Sequence, residues 1–222
     1  MKTVFNYPAR VKHIARELVH HGPFTAAGAV TGIIIMVVII LGHVPSQISY
    51  ALFYTLHPLH VLLSSLTTTA MYRKHSSARL WATVFIGYTG SIGIATISDA
   101  FIPYLGGTLL GIKMEFHVPF IEEWWLVNPM AFIGIAIGYL RPTTRFPHFG
   151  HVLLSTWASS FYFTSFGIAH WVPLFPFIFL FLFLAVWLPC CLSDIIYPLL
   201  FIKEQVVSSP SIAYNLKSGG KR

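Results

Sequence analysis

The sequence predicts an all-α, polytopic membrane protein in which six transmembrane helices form two inverted three-helix repeats. Of its 222 residues, 55% are hydrophobic and only 9% are charged, whereas a soluble domain carries about 25% charged residues. Six apolar stretches are long enough to cross the hydrocarbon core of a bilayer, which is about 30 Å thick. Three polar motifs also occur twice, in the same order, along the chain. These observations exclude a single soluble core and predict helices embedded in lipid.

The six apolar stretches define the predicted membrane-spanning helices. They cover residues 24–41, 50–72, 80–102, 124–140, 152–169 and 174–200. The first contains Gly28-x-x-x-Gly32 and the fourth contains Gly134-x-x-x-Gly138, a spacing of small residues that lets two helix backbones approach closely. We therefore expect tight helix contacts at these two positions, and assembly into a homo-oligomer stays open.

Lysine and arginine residues indicate the orientation of the chain in the membrane. All except Lys113 fall in the N-terminal segment, in the connections after the second and fourth spans, or in the C-terminal segment. The opposite connections hold Glu115, Glu122 and Glu123. The positive-inside rule then predicts a multi-pass protein with both termini in the cytoplasm, and a bacterial or archaeal inner membrane is assumed. The net charge of +7 favours membrane lipids as partners, and nucleic acid is not expected.

The repeated motifs divide the chain into two related halves. The three pairs are His21-Gly-Pro-Phe with His117-Val-Pro-Phe, His57-Pro-Leu-His60-Val-Leu-Leu-Ser with His148-Phe-Gly-His151-Val-Leu-Leu-Ser, and Ser98-Asp99-x-x-x-Pro with Ser193-Asp194-x-x-x-Pro. We expect one repeat at residues 1–104, a second at 105–205, and a disordered cytoplasmic tail at 206–222. Because each repeat holds three spans, an odd number, the second is predicted to be inverted relative to the first.

The histidines and aspartates of these motifs are the candidate metal ligands. Inversion of the second repeat sorts them into two sets, which are His57, His60, Asp99 and His117 toward the outer face, and His21, His148, His151 and Asp194 toward the inner face. Ionisable side chains inside a membrane are costly and are usually functional. The alternative is that both copies keep helix caps and contacts inherited from a duplication. Whether the two sets form separate sites or one dinuclear centre stays open.

The chemistry of these side chains suits a divalent transition metal. Imidazole and carboxylate together bind Zn²⁺, Fe²⁺, Mn²⁺, Co²⁺ or Ni²⁺, and histidines three residues apart on a helix point the same way. Ser64 and Ser155 follow the histidine pairs by one turn, where they are expected to orient a ligand. Cys190 and Cys191 are interpreted as small, buried apolar side chains.

Three functions are compatible with such a site. The first is a divalent metal-ion transporter, with proton coupling left open, because inverted repeats are typical of transporters. The second is a membrane-embedded metalloenzyme, a hydrolase or oxidoreductase acting on a lipid-like substrate, because three histidines and one aspartate can leave a coordination position open. A haem-bearing electron carrier is favoured less, because His-x-x-His on one helix cannot supply both axial ligands of one haem.

Overall fold

The computed structural model describes residues 7–75, 79–141, 145–168 and 170–201, and this part of the chain is mostly helical, as predicted. Its α-helices are α1 (Tyr7–Leu41), α2 (Ser46–His75), α3 (Leu80–Thr96), α4 (Ile102–Leu109), α5 (Pro119–Glu122), α6 (Trp124–Leu140), α7 (Arg145–Phe166), α8 (Phe175–Cys191) and α9 (Tyr197–Leu200). Two π-helices, π1 (Ile97–Phe101) and π2 (Leu192–Ile196), join α3 to α4 and α8 to α9, and a 3₁₀ turn (Val172–Leu174) precedes α8. The predicted tail at 206–222 lies outside the described residues.

A short antiparallel pair of strands departs from the all-α prediction. Strand β1 (Lys113–Met114) pairs with β2 (Gly167–Ile168). The chain reverses after α4 at Gly111, whose φ of 73° lies in the left-handed region that glycine adopts without steric cost. The Glu115 N–H then donates to the Phe166 carbonyl at 2.9 Å. The pair therefore ties the connection after α4 to the C-terminal end of α7.

Three helical segments within the described residues are long and apolar enough to cross a membrane. They are Gly22–Leu41, Leu80–Leu109 and Val172–Cys190, and Trp124–Leu140 is apolar but shorter. Helices α2 and α7 are absent from this set because of their polar content. Their fully or almost fully buried polar side chains include His57, His60, Ser64, Ser65, Thr67, Thr68 and Thr69 of α2 and His151, Ser155, Thr156, Ser159 and Ser160 of α7.

The packing of the bundle places this polar material in the interior. Helix α2 packs against α7, α6 and α3, while α7 also packs against α1 and α8. Large apolar side chains are exposed on the surrounding helices, among them Val30, Ile34 and Val38 of α1 and Phe132 and Ile133 of α6. Polar groups inside and apolar groups outside form the arrangement that lipid favours, because hydrocarbon cannot satisfy a hydrogen bond.

Glycines allow two helix pairs to approach closely. A Cβ atom on Gly28 of α1 would lie 2.9 Å from Thr156 Oγ1 of α7, and one on Gly134 of α6 would overlap Ser65 Oγ of α2. Ser65 and Thr156 directly follow the two copies of the second motif and so occupy equivalent positions. The contact of α1 with α7 at Thr156 therefore corresponds to the contact of α6 with α2 at Ser65.

Substitution of Gly134 tests the contact between α6 and α2. A Cβ there would also overlap the backbone carbonyl of Leu62, and backbone cannot rotate away. We expect Gly134→Ala to destabilise the fold by about 1–3 kcal/mol, measured as a lower midpoint of thermal unfolding in detergent. Gly93→Ala is the matched control, because nothing lies within 4 Å of a Cβ at that helical glycine. Equal midpoints for the two variants would contradict the close approach.

Candidate metal centre

The Asp99 carboxylate organises the centre of the bundle. It is fully buried, and both of its oxygens are engaged. Oδ2 lies 2.9 Å from His57 Nδ1 and 2.7 Å from His60 Nδ1. Oδ1 accepts hydrogen bonds from Ser98 Oγ at 2.7 Å and from Ser155 Oγ at 2.6 Å. Side chains from α2, π1 and α7 therefore meet on one carboxylate.

The repeated Ser-Asp-x-x-x-Pro motif explains why Asp99 lies in a π-helix. Pro103 is four residues after Asp99 and has no N–H, so an α-helical hydrogen bond to the Asp99 carbonyl cannot form. The local turn widens instead, and the Ile102 N–H donates to the Ile97 carbonyl five residues back. The second copy of the motif has the same spacing and forms π2. Such π-turns within helices are frequent at functional sites.

Asp99 determines which nitrogen of its two histidines is available to a ligand. An ionised carboxylate only accepts hydrogen bonds, so His57 and His60 each carry their hydrogen on Nδ1. The remaining ring atom of each, Nε2, is then the electron-pair donor. His57 Nε2 is buried and has no hydrogen-bond partner within the described residues. In this geometry Asp99 orients two imidazoles, as carboxylates behind metal-binding histidines commonly do. Its role as a metal ligand stays a prediction from the sequence.

Histidines from both halves of the chain meet at this centre. The His60 and His151 rings have centroids 5.5 Å apart, and one ligand atom each from His60, His151 and Cys190 lies within 4.8 Å of the others. Two ligands bound to one ion at 2.0–2.3 Å are at most about 4.6 Å apart, so small side-chain adjustments suffice for all three to share an ion. His60 and His151, which the sequence analysis assigns to opposite faces of the membrane, therefore lie together in one group.

Cys190 is a small, buried side chain packed against Val152 and Val186, as predicted, and it also belongs to a group with the donor atoms of a metal site, which the sequence did not indicate. Cys190 is 1% exposed and ends α8, next to π2. Its counterpart before the first Ser-Asp motif is Ala95, so the comparison of the repeats did not select it. The available signal was its position three residues before Ser193, because residues three apart share one helix face.

Serines of the two repeats form matching contacts near the centre. Ser155 Oγ lies 3.3 Å from Ser98 Oγ, and Ser64 Oγ lies 3.3 Å from Ser193 Oγ. Ser155 corresponds to Ser64, and Ser98 corresponds to Ser193, in the repeated motifs. The predicted orienting role suits Ser155, which bonds to the Asp99 carboxylate.

An aromatic layer separates His117 from the buried centre. The His117 ring stacks on Phe166 with centroids 4.2 Å apart, Phe166 contacts Phe53 at 5.7 Å, and Phe53 stacks on His57 at 5.3 Å. His117 itself forms an ion pair with the partly exposed Glu122. The structure therefore does not bring His117 into the ligand group with His57 and His60.

Three predicted ligands have no described side chain. His21 lies on α1, His148 on α7 and Asp194 on π2, but the structure describes only the backbone at these positions. Their assignment as ligands stays a prediction from the sequence.

Removal of the Asp99 charge tests its role in orienting the histidines. In Asp99→Asn, an amide replaces an acceptor that holds two Nδ1–H groups, and we expect metal affinity to fall about 10–100-fold. Competition with a metal-binding dye, on purified protein in detergent, measures this change. Glu115→Gln is the control. It removes an exposed carboxylate, and we expect its metal affinity to equal that of the unmodified protein. An Asp99→Asn variant with unchanged affinity would contradict the orienting role.

Comparison with known proteins yields no relative of this chain. No protein-family model matches it, no curated protein matches it, and no solved structure matches it. A function must therefore be argued from the site. The described residues hold two buried groups that have the donor atoms of a metal site, namely His57, His60 and Asp99, and His60, His151 and Cys190.

Proposed function

We propose that this protein carries a divalent transition-metal ion across a membrane, with His57, His60 and His151 as ligands. The observation that supports it most is the meeting of imidazoles from both repeats at one fully buried position, where each is at most 1% exposed. Zn²⁺, Fe²⁺, Mn²⁺, Co²⁺ and Ni²⁺ are the candidate ions. The ion is the cargo, and membrane lipids are the surrounding partner.

Burial of the site favours an ion over an organic substrate. A metalloenzyme needs an open coordination position beside a pocket for the reacting bond. His57, His60 and His151 are each at most 1% exposed. A closed polar site inside an apolar bundle is what an occluded transporter requires, because the ion must leave water before it crosses.

The paired contacts support six spans in two inverted repeats. The α1–α7 contact at Gly28 has a counterpart in the α6–α2 contact at Gly134, and the Ser98–Ser155 contact has one in Ser193–Ser64. In each pair the two repeats exchange roles, as a pseudo-two-fold axis in the membrane plane would produce. Transporters of this kind bind cargo near the bilayer midplane and alternate access by movement of one repeat against the other.

The aromatic layer between His117 and His57 provides an outer barrier in this proposal. His117 and Glu122 lie beyond Phe166, where a cation arriving from outside would first meet protein donors. His21, His148 and Asp194 are assigned to the inner half of the path from the sequence alone.

Metal content and uptake test the proposal together. We expect His60→Ala and His151→Ala each to lower bound Zn²⁺ at least about tenfold, because each removes a ligand, and to abolish uptake into proteoliposomes. Elemental analysis and a fluorescent zinc indicator inside the vesicles provide the two measurements. His170→Ala removes an exposed histidine without a repeat partner and serves as the control. Absence of bound metal would refute the site, whereas binding without uptake would favour the metalloenzyme.

Membrane topology is tested with impermeant thiol reagents on intact cells. Lys113 and Arg141 are both exposed and lie in connections assigned to opposite sides. We expect Lys113→Cys to react from outside and Arg141→Cys to react only after permeabilisation. The unmodified chain is the control for labelling of Cys190 and Cys191. Reaction of both variants from the same side would contradict six spans in this orientation.

A further inference from the structure

We infer that Cys190 binds the cargo ion as a thiolate and makes the site selective for ions of the zinc class, Zn²⁺ and Cd²⁺, over Mn²⁺. This inference rests on the proposed function, since it names the substrate class of the same site. Its basis is the group formed by His60, His151 and Cys190, whose ligand atoms lie within 4.8 Å of one another.

The three donors come from three different helices. His60 lies on α2, His151 on α7 and Cys190 at the end of α8, so the group cannot result from one helical face. A buried cysteine often serves only as a small apolar side chain, and Cys190 does pack against Val152 and Val186. Its ligand atom also lies within 4.8 Å of those of two imidazoles, which this apolar packing does not require.

His57 is a further buried imidazole, joined to His60 through the Asp99 carboxylate. Its Nδ1 shares the Asp99 oxygen with His60, and its buried Nε2 has no hydrogen-bond partner within the described chain. The lone pair of this nitrogen is therefore able to accept a hydrogen bond or to bind a metal ion. The group of His60, His151 and Cys190 supplies the nitrogen and sulfur donor types that Zn²⁺ binds.

The charges of the centre also balance for a divalent ion with a bound thiolate. Binding breaks the Cys190 S–H bond, forms a sulfur–metal bond and releases the proton to solvent. Neutral imidazoles, one thiolate and the Asp99 carboxylate then surround an M²⁺ ion with no net charge. A neutral assembly is the least costly one in a low-dielectric interior. Soft thiolate sulfur favours Zn²⁺ and Cd²⁺, whereas Mn²⁺ prefers oxygen ligands.

Cobalt titration of the purified, full-length protein in detergent tests this inference. Co²⁺ substitutes for Zn²⁺ in tetrahedral sites and gives a thiolate-to-cobalt charge-transfer band in the near ultraviolet when sulfur is bound. We expect the unmodified protein and Cys191→Ser to give this band. We expect Cys190→Ser to lose it while it keeps the visible bands of cobalt bound to histidine, and its preference for Cd²⁺ over Mn²⁺ should fall at least about tenfold.

The outcomes separate this inference from the proposed function. Cobalt binding that depends on His60 but gives no thiolate band overturns the role of Cys190 and leaves metal binding intact. Loss of the band in Cys191→Ser instead of Cys190→Ser overturns it as well. No cobalt binding by the unmodified protein overturns both proposals. The band is read on the unmodified chain, so the test stands even where Cys190→Ser fails to fold.

Discussion

The buried Asp99 carboxylate is the group on which the interior of this bundle depends. An unpaired ion in a low-dielectric interior costs several kcal/mol, so the fold must bring donors to it. Two imidazole N–H groups of α2, one hydroxyl of α7 and the neighbouring hydroxyl of π1 supply them. The need of the carboxylate for donors holds α2, π1 and α7 together around Asp99. It also leaves Nε2 as the nitrogen by which His57 and His60 can bind a ligand.

The rest of the architecture isolates this polar centre from lipid. Helices α2 and α7 carry the serines, threonines and histidines, and the more apolar α1, α3, α6 and α8 pack around them. Glycines at the α1–α7 and α6–α2 contacts bring the outer helices close to the inner ones. In a membrane, lipid would provide no hydrophobic driving force between helices, so this close packing and the internal hydrogen bonds would hold the bundle together.

The two copies of the repeated motifs differ at Cys190, and under the proposed function this difference has a chemical consequence. Each Ser-Asp-x-x-x-Pro motif forms a π-helix, and the serines make matching contacts. Cys190, however, corresponds to Ala95. A movement that exchanged the roles of the two repeats would therefore not offer the ion the same ligands on both sides. Under the proposed function, this asymmetry would give the two states different affinities for the cargo.

The sequence by itself determined the helical, strongly apolar character of the chain. It also determined most of the polar residues at its centre, because ionisable groups in apolar segments are costly enough to stand out. It did not determine that His60 and His151 meet, that Asp99 orients histidines, or that Cys190 joins them. Hydropathy reports how apolar a segment is, but the depth at which two helices cross depends on side-chain packing across the whole bundle. Cys190 resembles any apolar residue in sequence, and only the tertiary structure brings its sulfur close to the donor atoms of His60 and His151.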